Sequence, residues 1–198
     1  MKLCIFAGTF NPIHNAHIKI AEYVLNNFGF DKILFIPAYK PPHKNYDPNF
    51  STHRFNMVKL AIKNNPHFEI SDIEFKRETK SYTYDTVTDL YKQYNTDGKI
   101  NLIIGTDAFK QIESWHETEK LKKLVDFIVF VRQNENVDLT SLKNKGYNFQ
   151  IAQMEFIDIS STVLREKIAN GTSITGFVPM KVEEYIKENG LYQNKAMA

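Results

Sequence analysis

Cysteine is nearly absent: Cys4 is the only one in 198 residues. The chain can therefore form no internal disulfide framework and no cysteine-based zinc site, which suits a reducing compartment, and a cytoplasmic location is expected. Long apolar runs are missing too. Nowhere do about 18 apolar residues follow one another, and no cationic segment leads into an apolar stretch at the start, so neither a membrane span nor export is expected. An excess of one charge is also lacking, since 25 basic residues face 23 acidic ones for a net charge of +2. Binding to nucleic acid or a membrane surface through bulk charge is thereby disfavoured. Three familiar signatures are absent as well: G-x-x-x-x-G-K-[ST], G-x-G-x-x-G and H-E-x-x-H. Neither a P-loop, nor a dinucleotide fingerprint, nor a helical zinc-protease pair is encoded.

What is present is ordinary soluble composition, 42% hydrophobic and 24% charged, enough for one sizeable core. A single domain over 1–193 is expected, with 194–198 as a disordered tail. Short apolar runs rich in Ile, Val and Phe stand at 2–7, 32–37, 68–73, 100–105, 127–131 and 149–154. They are too short for core helices, and several are nearly all apolar, as strands covered on both faces should be. Helix-period segments separate them at 16–28, 51–65, 81–94 and 117–125. Two more follow near 160–171 and 178–190, the second with Pro179 in its first turn. This rhythm predicts an α/β fold: a doubly wound, mostly parallel sheet with helices on both faces and a small C-terminal helical segment from about 160. Ligands of such sheets bind beyond the carboxyl ends of the strands.

One such end carries "GTFNPIHNAH", residues 8–17. Gly8 and Thr9 permit close backbone approach, and the helix behind them, with Asn15 as the expected N-cap, points unpaired N–H groups at whatever sits there. His14 and His17 share one face of its first turn. Three readings stand side by side: an inconsequential exposed pair, a zinc site lacking a visible third ligand, and a pair of donors for an anion.

The segment resembles the G-x-F-x-P-x-H-x-G-H signature of the nucleotidyltransferase superfamily with its Rossmann-like fold, with Ala16 in place of the usual glycine. "ISSTVLR" at 159–165 is similar to the same superfamily's I-S-S-T-x-x-R motif. Within it, "KPPHK" (40–44), "SYTYDT" (81–86), "IIGTD" (103–107) followed by Trp115, and the ending "VPMKVEEYIKENGLY" look like the bacterial nicotinate-nucleotide adenylyltransferases, over residues 1–193. One block departs from that pattern: after Arg132 the family's Pro-Gly is missing.

The resemblance implies transfer of AMP from ATP to nicotinate mononucleotide, releasing pyrophosphate, with both small molecules as partners and Mg²⁺ carried mainly on the ATP phosphates. The attacking group is already an anion, so alignment and charge stabilisation would do the catalytic work. His17, then His14, would hold phosphate oxygens, with Arg165 beside them. Gly8, Thr9, Phe10, Gly105, Ser160, Ser161 and Thr162 would surround ATP. Asp107 would take ribose hydroxyls or serve as a helix N-cap. Lys44 and His43 would meet the acceptor phosphate; either might equally belong to a solvated basic loop. Trp115, read as an exposed indole, would stack on the pyridine, with Tyr84 as a second aromatic. Backbone amides near Thr83, Tyr84 and Thr86 would receive the nicotinate carboxylate. No protein metal cage is expected, and a homo-oligomer is left open. The competing readings are pantetheine-phosphate adenylyl transfer and a catalytically silent nucleotide-binding module.

Overall fold

The computed structural model describes residues 1–42, 47–77, 79–132, 134–155 and 159–193. In chain order the strands are β1 (Leu3–Gly8), β2 (Lys32–Pro37), β3 (Phe68–Ile70), β4 (Ile100–Gly105), β5 (Val125–Arg132) and β6 (Phe149–Met154). They form one sheet in the order β3-β2-β1-β4-β5-β6, and every neighbouring pair is parallel. This is the doubly wound order, whose connections reverse direction between β1 and β4.

The strands' alternation divides the core. Cys4, Phe6, Ile33, Phe35, Ile103 and Ile128 face one side. There they meet α1 (Asn15–Phe28), α2 (Pro48–Ile62), α8 (Ser161–Ala169) and α9 (Met180–Glu188) through Ile20, Val24, Met57, Leu164 and Val182. Leu3, Ile5, Leu34, Ile36, Leu102 and Ile104 face the other. That side is covered by α3 (Ile73–Arg77), α4 (Thr83–Gln93), α5 (Thr106–Lys110), α6 (Thr118–Leu124) and α7 (Thr140–Asn144), through Ile73, Leu90, Phe109, Leu121 and Leu142. Both faces of the inner strands being largely dry explains why β1, β2, β4 and β5 read as apolar runs, whereas the edge strand β6 leaves Gln150, Ile151 and Gln153 exposed.

Several boundaries differ from the sequence reading. The third strand ends at Ile70, because Ile73 opens α3 instead of extending the sheet. α2 starts at Pro48, three residues before the expected Ser51: Asp47 caps it by accepting from the Asn49 N–H at 2.9 Å, and proline is preorganised for a first turn. Pro179 is the N-cap of α9, one place before its first turn. His14, not Asn15, is the N-cap of α1. α5 and α7 were not expected.

Candidate active site

The crevice at the switch point is a cleft of about 710 Å³. Its floor is the strand ends, Phe6 to Phe10 at the end of β1 and just beyond it, and Leu102 to Gly105 along β4; its walls include Pro41, Pro42, Glu74, Ser81 to Thr83 and Ser114 to His116. Two glycines at the strand ends stand close beneath aromatic rings. A Cβ on Gly105 would lie 2.9 Å from Phe130 Cζ, and one on Gly8 would lie 3.1 Å from Phe10 Cζ. Phe10 itself is buried with φ of 48°, a left-handed conformation that a bulky residue rarely adopts, and it is locked there by edge contacts with Phe6 and His17.

The two histidines pack against each other, ring centroids 3.7 Å apart and 23° from parallel. The His14 backbone N–H donates to His17 Nδ1 at 3.2 Å. An accepting Nδ1 leaves the His17 proton on Nε2, so the ring offers the cleft a single N–H donor. Burial, followed by the neighbouring His14, pushes the His17 pKa well below 6.5, and burial alone brings His14 to about 4. Both rings are therefore neutral near pH 7. His14 is only 5% exposed and stands behind His17, its Nδ1 buried with no hydrogen-bond partner.

The two widely separated signature segments meet. Ser161 Oγ, in the first turn of α8, donates to the Pro12 carbonyl at 2.9 Å, and Arg165 Nη1 donates to the Asn11 carbonyl at 3.0 Å. Tyr192 Oη fixes the same loop by donating to Asn11 Oδ1 at 2.6 Å. Arg165 Nε is buried without a partner. Ser160 is the N-cap, accepting from the Val163 N–H at 3.2 Å, so its side chain serves the helix. Thr162 is exposed beside Arg165.

At the other end of the cleft, Thr83 and Trp115 are lining residues as expected, but three expectations need correction. Trp115 is half-buried against the second core half, because the 3-10 turn at 112–114 tucks the segment under it. The Thr86 N–H donates to the Tyr82 carbonyl at 3.1 Å, closing the first turn of α4, and its hydroxyl donates to Glu74 and accepts from Arg77; it has no amide to offer a ligand. Asp107 is exposed in the first turn of α5, whose N-cap is Gly105. Tyr84 lies outside the cleft lining, packed on the second core half, although its N–H belongs to the unpaired first turn of α4. His43 and Lys44 lie outside the described residues. Sequence reasoning overlooked His116, which stacks on Tyr82 at 4.3 Å, as well as Glu74, Arg54 and Tyr192. Tyr192 closes the segment "VPMKVEEYIKENGLY" but reads there as a core aromatic; His116, Glu74 and Arg54 stand in no motif-like cluster, and Arg54 reads as the polar edge of a helix.

A doubly wound sheet whose first loop presents a histidine donor beside an arginine-bearing helix defines a nucleotidyltransferase, and the family described as cytidylyltransferase-like matches residues 5–167. A probable nicotinate-nucleotide adenylyltransferase of Fusobacterium nucleatum is 41% identical over 191 residues, spanning 95% of this chain and 98% of that one. The nicotinate-nucleotide adenylyltransferase of Bacillus subtilis is 38% identical over 194 residues, 98% and 99% of the two chains. The fold is shared with the solved nicotinic acid mononucleotide adenylyltransferase of Plasmodium falciparum complexed with NaAD, at a TM-score of 0.82 and 22% identity over 98% of each chain. The chain belongs to the nicotinate-nucleotide adenylyltransferase family.

Proposed function

We propose that the chain transfers AMP from ATP to nicotinate mononucleotide, forming nicotinate adenine dinucleotide and pyrophosphate. The observation that carries this reading is the meeting of the His17 loop with α8 at the switch point, where Arg165 and Ser161 bind the loop's own carbonyls. Such docking turns that loop and the start of α8 into one donor-rich surface for phosphates. The acceptor phosphate attacks the α-phosphorus, the bond to the pyrophosphate oxygen breaks, and charge moves onto the leaving group. His17 Nε2–H, neutral and preorganised, donates to a phosphate oxygen as that charge shifts. Arg165, bonded to the Asn11 carbonyl and with Nε unpaired, is the second donor assigned to the phosphates, and a cationic one. No base is needed, because the attacking oxygen is already ionised.

Mg²⁺ is proposed as a companion of ATP that neutralises its phosphate charge. Among the described residues no three His, Cys, Asp or Glu side chains group to hold a metal, and no step above runs through the ion. At the acceptor end, Trp115 offers an aromatic face to the pyridine, and the N–H groups of Thr83 and Tyr84 at the start of α4 suit a carboxylate. No helix among the described residues is long and apolar enough to cross a membrane. The test is pyrophosphate release from ATP with each acceptor offered separately. Turnover with nicotinate mononucleotide is expected; turnover confined to phosphopantetheine would replace the acceptor, and ATP binding without release for any acceptor would leave a silent module.

A further inference from the structure

Arg54 sits on α2 and is 4% exposed, yet its guanidinium reaches two loops. Nη1 donates to the Thr9 carbonyl at 2.8 Å; Nη2 donates to the Tyr39 carbonyl at 3.3 Å and to Ser51 Oγ at 2.9 Å. Ser51 in turn donates from Oγ to that same Tyr39 carbonyl at 2.8 Å. Thr9 is the first residue beyond β1, and Tyr39 lies just beyond β2, on the strand next to it. A guanidinium holds its N–H groups in one rigid plane, so two carbonyls bound to it are held at a fixed separation. Each carbonyl also fixes its peptide plane.

The Tyr39 segment is gripped from its other side as well. The Lys40 N–H donates to Ser81 Oγ at 3.0 Å, the Ser81 N–H donates to the Lys40 carbonyl at 2.9 Å, and the Tyr39 N–H donates to Glu74 Oε2 at 3.3 Å. Those bonds tie the β2 loop to the acceptor wall at α3 and α4. The rest of the β1 loop is tied to α8 and Tyr192 through Asn11 and Pro12. Sheet pairing joins the two segments up to the bond from the Ala38 N–H to the Gly8 carbonyl at 2.8 Å, and Arg54 carries the connection past it, to Thr9 and Tyr39.

We propose that Arg54 is a positioning residue that sets the separation of the β1 loop, which meets the ATP phosphates, from the β2 loop, which approaches the acceptor. This rests on the adenylyl-transfer reading above. In-line transfer needs the attacking oxygen about 3–3.5 Å from phosphorus, and an error of about 1 Å costs on the order of 10²-fold in rate. Thr9 lines the cleft on one side and Ala38, Pro41 and Pro42 on the other, so the fork fixes the separation of the two walls while Arg54 itself stays out of the lining.

The experiment compares wild type, Arg54→Lys and Ile62→Ala. The lysine keeps the charge but presents a compact ammonium that cannot hold two carbonyls in one plane. Ile62→Ala empties core volume on the same helix far from both loops and supplies the purely structural control. Binding of ATP alone, of nicotinate mononucleotide alone and of nicotinate adenine dinucleotide is measured by calorimetry, with kcat taken at saturation and at a temperature where all three proteins are folded. Arg54→Lys is expected to change the separate affinities by less than about 3-fold, while weakening the dinucleotide, which spans both loops, by about 10-fold and kcat by about 10–10². Ile62→Ala should lower the melting temperature and leave those two quantities alone. Dinucleotide affinity and kcat within about 3-fold of wild type in Arg54→Lys, or an equal loss in Ile62→Ala, would overturn the proposal. Wild-type turnover with an unaffected lysine variant removes the role of Arg54 alone. A wild type that binds the dinucleotide without turnover removes the transfer reading, and the affinity comparison still decides Arg54. Loss of all dinucleotide binding in wild type removes both.

Discussion

In the proposed reaction His17 donates to phosphate oxygens without a positive charge of its own, because Phe6 and Phe10 enclose its ring and His14 is stacked beside it. Its strength as a donor comes from direction: the backbone bond to Nδ1 leaves Nε2–H as the one proton, aimed by a helix start that cannot shift. A donor placed for the transition state affects turnover more than affinity. His17→Ala should therefore lower kcat by at least about 10²-fold with ATP affinity retained in calorimetry; near wild-type turnover would exclude the residue from catalysis. The lowered pKa has its own signature. His17 is neutral on both sides of pH 6.5, so kcat in the wild type should show no acid break there, and a break at 6.5 that disappears in His17→Ala would contradict the neutral donor. Gly105 makes an equally local claim: Gly105→Ala must shift the Phe130 ring, which also lines the cleft, and should weaken both substrates together.

Among the elements, α8 and α4 each bring a helix start to one end of the cleft. Arg165 bonds the Asn11 carbonyl and has an unpaired Nε, so Arg165→Ala removes a brace of the first loop and, in the proposed reaction, a phosphate donor. It should raise the KM for ATP and slow turnover; an effect limited to the acceptor would contradict the assignment. The α4 start bears on acid against amide. Nicotinamide mononucleotide would turn an NH₂ toward the N–H groups of Thr83 and Tyr84, and a site left with unpaired donors can reject an analogue by about 10³-fold or more in kcat/KM. Trp115→Ala should weaken both acceptors with little change in that ratio, since stacking ignores the carboxylate. Values for acid and amide within a few-fold of each other would remove the donor-lined pocket. These assignments also mark how far the sequence was legible. His17 and Arg165 stand in compact signatures whose spacing survives without coordinates, and strands with two dry faces print themselves as apolar runs. Five-residue helices such as α5 and α7 are too short to display a 3.6-residue period. Arg54 was illegible for another reason: its neighbours Thr9 and Tyr39 are brought to it only by the pairing of β1 with β2.

For the molecule as a whole, the buried histidines couple folding to pH. The unfolded chain protonates His14 near 6.5, the folded protein only near 4, so between those values the unfolded state holds more protons and stability falls as pH is lowered. Passing from pH 7 to pH 5 traverses roughly 1.5 units of that window, which corresponds to about 2 kcal/mol for His14, and His17 acts in the same direction. Glu74 opposes this: burial raises its pKa, so its contribution is fully present below 4.5 and is lost as pH rises through the folded value. Asp89 and Glu183, held low chiefly by hydrogen bonds from Lys92 and Lys187, lose stability only at lower pH, as protonation releases those partners. Acid destabilisation should therefore begin near pH 6.5, well above the carboxylate range. Urea unfolding at pH 7 and pH 5 measures it, with His14→Asn as the comparison, since asparagine can still cap α1 but does not titrate. The wild type should lose about 2 kcal/mol more than the variant between the two conditions, since Glu74 and His17 are present in both. Equal losses in the two proteins would mean that His14 titrates alike in the folded and unfolded states, and the neutral histidine pair at the switch point would have to be abandoned.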